Sequence, residues 1–371
     1  MVNPNIDNSL KILEMLGECP STSFHENLVF QCIKRILSSE NILFKTDTYG
    51  NILARIEGTK PQNKPVAFVA HMDHPGFEVD RIENGQVIAK ALGGVPIASI
   101  KKTTKSFSFD EKTGERYPCF LEPGASIGDR EVLVDSNQDL CIGMPIVFDL
   151  PDFLVDGELI QMRAMDDLAG CAAIISGLNE WNKKQPESHV YAVFTRAEEV
   201  GLIGARLLAK EALLTEETLV ISVETSSVIP GVKLGDGPVI RTGDASYTFD
   251  FEAENVLASA KERILLADSG FKCQRQLMSA GSCEAGAFMA NGYKSSGIAF
   301  PLGNWHNATT YIADPDGEVG LEYIAMNDFV GGVRLILEAP YVESDERYLM
   351  LRKRYVDVPA DVADRLTNTK S

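Results

Sequence analysis

The side chains best suited to chemistry stand at the ends of apolar, strand-like runs. PVAFVA (65–70) runs into His71 and Asp73, VYAVFTRA (190–197) into Glu198 and Glu199, and TLVISV (218–223) into Glu224. Asp166 and Asp167 open a helix-like stretch, and His306 lies in a Gly- and Asn-rich turn, PLGNWHN (301–307). Two imidazoles with three or four carboxylates suit a pair of borderline divalent cations, zinc or cobalt, each keeping a position open for water or substrate. Such ions sit ~3.5–4 Å apart and need a bridging carboxylate, for which Asp166 is the natural choice. Asp73, two residues beyond His71, is placed to hold that ring in one tautomer. Adjacent residues at a strand end point in different directions, so one of Glu198 and Glu199 binds metal while the other takes a proton from the bridging water. Glu224 has Asp236 and Asp244 as possible substitutes, and Asp167 reads equally as a helix cap.

For such distant residues to meet, the runs that carry them must be parallel strands, because ligands in open α/β sheets gather at the carboxyl ends of strands. The chain supports this. Helix- and strand-like segments alternate after residue 165 (DDLAGCAAIISGLNEW, VYAVFTRAEE, GLIGARLLAKEALL, TLVISVET), which predicts a parallel, helix-covered sheet. Two amphipathic helices are expected within residues 9–37, with Leu10, Leu13 and Leu16 on one stripe and Leu28, Val29, Cys32, Ile33 and Ile36 on the other. Ser23 and Glu26 have capping-box spacing before the second. A last amphipathic helix is expected at roughly Leu321–Leu337, and beyond Pro340 a charge-dense tail reads as solvated or subunit-contacting. Between Gly76 and Gln161 the pattern turns to short β-type runs broken by Gly and Pro. This divides the chain into an α/β catalytic domain of residues 1–75 and 160–371 and an inserted β domain of 76–159.

Composition removes other function classes. Lys+Arg 35 against Asp+Glu 53 leaves a net charge of -18, which repels nucleic acid phosphates and anionic lipid alike. No apolar run approaches the ~20 residues of a membrane helix. Cys19, Cys32, Cys119, Cys141, Cys171, Cys273 and Cys283 are scattered, without a CxxC pair, and read as free thiols; with no export signal at the N-terminus, the expected location is the cytoplasm. His25 is expected in the capping region of the second helix and His189 at the surface. HEN at 25–27 is not a zincin motif, since Val29 stands where HExxH needs histidine. Gly124-Ala-Ser126-Ile-Gly128 matches GxSxG but precedes no helix, and Asn307-Ala-Thr309 is a sequon only by accident in a cytoplasmic chain.

Taken in order, HMD after a buried strand, DD before a small-residue helix, EEVGLIGA and a late histidine resemble the tetrahedral aminopeptidase and glutamyl aminopeptidase family of co-catalytic two-metal peptidases, over about Leu10–Leu337. The resemblance implies His71, Asp166 and Glu224 on one metal, Asp166, Glu199 and His306 on the other, Glu198 as general base, and Asp73 behind His71. It implies two divalent ions per chain, zinc with cobalt or manganese as alternatives, peptide substrates, and a self-compartmentalised homo-oligomer, often a dodecamer, with the β domain at contacts. The implied fold is a mixed, mostly parallel sheet covered by helices on both faces, with a small β-barrel-like domain between the first histidine and the bridging aspartate, where residues 74–165 lie. Dimeric carboxypeptidases and deacylases with a similar metal set carry their extra domain between the fourth and fifth ligands. Here that interval, Glu224 to His306, is needed for core strands and a helix. The rivals are an N-deacylase or carboxypeptidase on the same site and a non-catalytic homologue. A two-carboxylate glycosidase is remote, because adjacent Glu198 and Glu199 cannot flank one bond at ~5 Å or more.

Overall fold

The computed structural model describes residues 4–100, 103–122, 130–341 and 353–369. Helices α1 (Ile6–Gly17) and α2 (Asn27–Ser39) lead into β1 (Phe44–Thr46), β2 (Ile52–Ile56) and β3 (Val66–His71). Then come β4 (Gly76–Glu83), β5 (Gln86–Leu92), β6 (Thr104–Phe109), β7 (Arg116–Glu122), β8 (Glu131–Asp135), β9 (Pro145–Phe148) and the hairpin β10 (Leu154–Asp156) and β11 (Leu159–Met162). The chain continues through α3 (Leu168–Lys183), β12 (Val190–Thr195), α4 (Ile203–Lys210), β13 (Leu219–Ser227), β14 (Val239–Gly243), α5 (Phe251–Ala267), β15 (Gln274–Leu277), α6 (Glu284–Ala290) and β16 (Lys294–Leu302). It closes with β17 (Glu322–Ala325), α7 (Met326–Glu338) and α8 (Ala360–Asn368).

An eight-stranded mixed sheet of order β1-β2-β12-β3-β13-β16-β14-β15 forms the centre. Its middle strands, β12, β3, β13 and β16, are parallel to one another, while β2 joins β12 and β14 joins β16 antiparallel. Burial of β3 on both faces follows from its composition: side chains alternate across a strand, and every residue of VAFVAH is apolar or small up to the histidine. Phe68 and Ala70 pack into the core built with α1, α2, α3, α5 and α7, whereas Ala67 and Val69 pack on the side of Ala205, Leu208 and Phe288 from α4 and α6. Small residues Ala169, Gly170, Ala172 and Ala173 let α3 lie close to the sheet, and Trp181 at its end stacks on Phe68 with centroids 5.6 Å apart. Strands β4-β5-β8-β7-β6-β9 close into a barrel filled by Phe77, Val79, Leu121 and Phe148, while the β10–β11 hairpin pairs with β17 instead.

Three sequence expectations need correction. Ser23 and Glu26 make no capping box: no side chain caps α2, because Ser23 donates to Asp73 and Glu26 is drawn into an ion pair with Arg196 at 2.7 Å. Residues 322–325, expected as the start of the last helix, form β17, held by the hairpin register of Leu159–Met162 against Glu322–Ala325. His25 does stand just before the α2 N-cap, where it bridges Glu78 and Glu111 at 2.7 and 3.0 Å and ties α2 to the barrel domain. His189 is half-buried and accepts the Gly58 amide at 3.1 Å. All seven cysteines are free thiols, and no helix among the described residues is long and apolar enough to cross a membrane. The GxSxG run at 124–128 and residues 342–352 of the charged tail lie outside the described residues.

Candidate metal centre

His71 is the last residue of β3, and its ring is only 1% exposed. Its Nδ1 stands 3.0 Å from the carbonyl oxygen of Asp73, an obligate acceptor, so Nδ1 carries a proton and Nε2 is the nitrogen turned to the cleft. Holding the tautomer thus falls to the Asp73 backbone; the Asp73 carboxylate is farther off, at 3.6 Å. That carboxylate is engaged elsewhere. It accepts the Ser23 hydroxyl at 2.6 Å and the amides of Glu198 and Glu199 at 2.9 and 3.2 Å, which seats the turn after β12.

The turn is unusual in its backbone. Ala197 (φ 53°) and Leu202 (φ 58°) occupy the left-handed region that side chains disfavour, and the Glu198 carbonyl accepts both Gly201 and Leu202 amides. His306 (φ 57°) lies between Asn304 (φ 54°) and Asn307 (φ 62°) in a second such turn. Backbone of this kind persists only where surroundings impose it, and it concentrates at functional sites. His306 Nδ1 donates to the Gly94 carbonyl at 2.8 Å, so its Nε2 also faces the cleft without a proton.

The carboxylates converge on these two nitrogens. His71 Nε2 is 3.4 Å from Asp166 Oδ1 and 3.3 Å from Glu224 Oε1, with Glu198 at 3.8 Å. His306 Nε2 is 3.3 Å from Glu199 Oε2 and 3.7 Å from Asp166 Oδ2. Each carboxylate oxygen of Asp166 therefore faces a different imidazole, and Asp166 links the two groups. Ligand atoms of His71, Asp166 and Glu199, and of His71, Glu198 and Glu224, lie within 4.8 Å of one another. Asp236 and Asp244 are elsewhere: Asp236 pairs with Lys272, and Asp244 accepts the amides of Ser246, Tyr247 and Cys283. Asp167, joined to Asp166 by a cis peptide bond, caps α3 through the Gly170 amide at 3.1 Å.

Acceptors gathered this closely in a buried cleft need protons or cations between them. Asp166 Oδ1 and Glu199 Oε1 are buried with no hydrogen-bond donor. Among the cleft's lining residues the sole permanent cation is Arg241, against four carboxylates. The electrostatic strain shows in the titration. Burial, reinforced by Asp166, pushes Glu224 up to about 7, and burial with neighbouring carboxylates pushes Glu198 and Glu199 well up. Asp166 is held low despite its burial by His71 and His306. A cavity of about 90 Å³ sits over these groups, room enough for water. Imidazole nitrogens and carboxylate oxygens gathered this closely could hold divalent metal.

Three supports were not evident from the residues alone. Glu322, wholly buried in β17, accepts the amides of Met165 and Asp166 on one oxygen and of His306 on the other, at 2.8, 3.0 and 2.6 Å. His74 donates to the Asp166 carbonyl at 2.7 Å and faces Asn307 Oδ1 at 3.1 Å. Gly93 and Gly94, just after β5, bring the barrel domain against the centre: a Cβ on Gly94 would meet His306 Nδ1 at 2.7 Å, and one on Gly93 the Glu199 side chain at 3.0 Å.

Residues 135–318 match the family model of the M42 glutamyl aminopeptidases. A protein of Acetivibrio thermocellus that carries a provisional aminopeptidase name is 26% identical over 309 residues, 80% of this chain and 87% of that one. Among solved structures, the TET1 peptidase of Pyrococcus horikoshii, which can assemble into a tetrahedron or a large octahedral shell, superposes with TM-score 0.74 at 21% identity. That match covers 90% of this chain and 99% of the other. An aminopeptidase of Desulfurococcus kamchatkensis gives TM-score 0.75 at 21% identity, covering 93% and 98%. At these identities the structural matches establish a shared fold.

Proposed function

The chain belongs to the M42 glutamyl aminopeptidase family, and from that premise we propose a two-metal aminopeptidase that removes N-terminal residues from short peptides. The observation that carries this reading is the pair of acceptor clusters sharing Asp166. His71, Asp166 and Glu224 would hold one ion, and Asp166, Glu199 and His306 the other. When bound, such ions acidify water and polarise the scissile carbonyl. Zinc is the expected metal, with cobalt and manganese as alternatives.

The chain's own groups do the rest. Glu198 projects into the cleft from a turn clamped by Asp73, and its raised affinity for protons suits a group that accepts one near neutrality and gives it back. Its carboxylate takes the proton of the attacking water and returns it to the nitrogen of the departing peptide. No covalent enzyme intermediate is needed. The density of carboxylates around a small cavity favours a cationic free amino terminus over a blocked one. The proposed setting is a homo-oligomer of the kind its archaeal relatives build.

Two assays test this. Glu198→Gln is expected to keep its metal and lose about 10²–10⁴-fold in hydrolysis; an undiminished rate removes the proposed base. Comparing free-amino with N-acetylated peptides separates an aminopeptidase, which cleaves only the former, from a deacylase, which acts on the latter.

A further inference from the structure

Away from the metal centre, two of the free cysteines meet. Cys19 follows α1 and Cys32 lies midway along α2, yet their Sγ atoms stand 3.4 and 3.6 Å from the same acceptor, the Met15 carbonyl oxygen. Both line a cavity of 650 Å³ where α1 and α2 face the barrel turn at Thr113 and Gly114, with Glu18 and Arg35 among its other walls. Cys19 is half-buried and Cys32 buried.

We propose that Cys19 and Cys32 form a reversible dithiol–disulfide site, oxidised by low-molecular-weight disulfides that enter this cavity. The Cys32 thiolate attacks one sulfur of the small disulfide, whose S–S bond breaks and whose other half leaves as a thiolate. Cys19, having lost its proton to solvent, attacks Cys32 Sγ in the mixed disulfide and expels the second half. Two protein thiols are oxidised and one small disulfide is reduced to two thiols, so electrons and protons balance. The second step is fast because both sulfurs are held against one carbonyl oxygen.

The surroundings of the pair differ from those of the other cysteines. Cys19 and the Arg35 guanidinium draw Cys32 down to about 7 against the opposing effect of burial, while Cys19 is pushed well up, which makes Cys32 the first nucleophile of the pair. Burial pushes Cys119 and Cys283 up to about 12 and Cys273 up to about 11, and holds Cys171 well up. Cys141 is exposed on the barrel domain.

The test treats the folded, full-length protein with excess oxidised glutathione near neutral pH, alkylates the remaining thiols, and maps peptides by mass. The expected result is a Cys19–Cys32 crosslink that dithiothreitol reverses, a glutathione adduct on Cys141, and alkylation of the other four cysteines. In Cys19→Ser the crosslink is replaced by a persistent glutathione adduct on Cys32. Recovery of both Cys19 and Cys32 as alkylated free thiols after Cys141 is fully converted overturns the proposal, as does a lasting glutathione adduct on Cys32 in the unmutated protein.

Discussion

At the level of single residues, the centre depends as much on its supports as on the groups that face the cleft. Glu322 shows this best. Its two oxygens accept three backbone amides, two from the Met165–Asp166 segment and one from His306, so one buried carboxylate sets the distance between Asp166 and His306 on another loop. Glu322→Gln replaces one acceptor with a donor facing an N–H. We expect a loss of about 1–3 kcal/mol in denaturant unfolding, together with weaker retention of metal at the His306 side; unchanged stability and metal content would contradict the role given to it. The ligand candidates themselves were legible in the sequence, because His71, Glu198, Glu199 and Glu224 each end or interrupt an apolar run where a charged residue has no packing reason to be. Glu322 was not, since EYIA sits in a stretch whose apolar spacing also fits a helix. His74 was hidden beside a more conspicuous histidine.

Among the elements, parallel strands explain why residues from five stretches converge, and the alternation after residue 165 made the central sheet readable in advance. What could not be read was the approach of the barrel domain. Its Gly93-Gly94 linker touches Glu199 and His306, and the Gly94 carbonyl fixes the His306 tautomer. Local patterning of short β runs says nothing of where a closed barrel will rest. Gly94→Ala tests the contact. Its methyl would stand 2.7 Å from His306 Nδ1, so the ring must move, and a displacement near ~1 Å is expected to cost about 10²-fold in peptide hydrolysis while the melting temperature of the metal-free protein changes little. A variant with full activity would show that the barrel domain does not position the histidine. The capping box failed for a related reason: Ser23 and Glu26 answer to Asp73 and Arg196, partners 50 and 170 residues away, and short-range spacing cannot foresee them.

For the whole molecule, gathering buried carboxylates without cations has a measurable consequence. Glu224 is raised to about 7 and Glu284, buried beside Thr195, to about 8, whereas in the unfolded chain both titrate near ~4.3. The folded state therefore binds more protons than the unfolded state between those limits, and stability falls as pH rises through that window. His71, raised by surrounding carboxylates, acts in the same sense, since its favourable charge is lost on going to higher pH. Metal-stripped protein is expected to melt at a higher temperature near ~pH 5 than near ~pH 8, with added divalent metal reversing the order. A melting temperature of the stripped protein that does not vary across that range would show that the cluster is not under the strain described. The central claim, two ions sharing Asp166, is tested most directly by elemental analysis of the purified, metal-reloaded protein. About two divalent ions per chain are expected, falling to about one in His306→Ala; one ion or none in the unmutated protein would contradict a shared dinuclear centre.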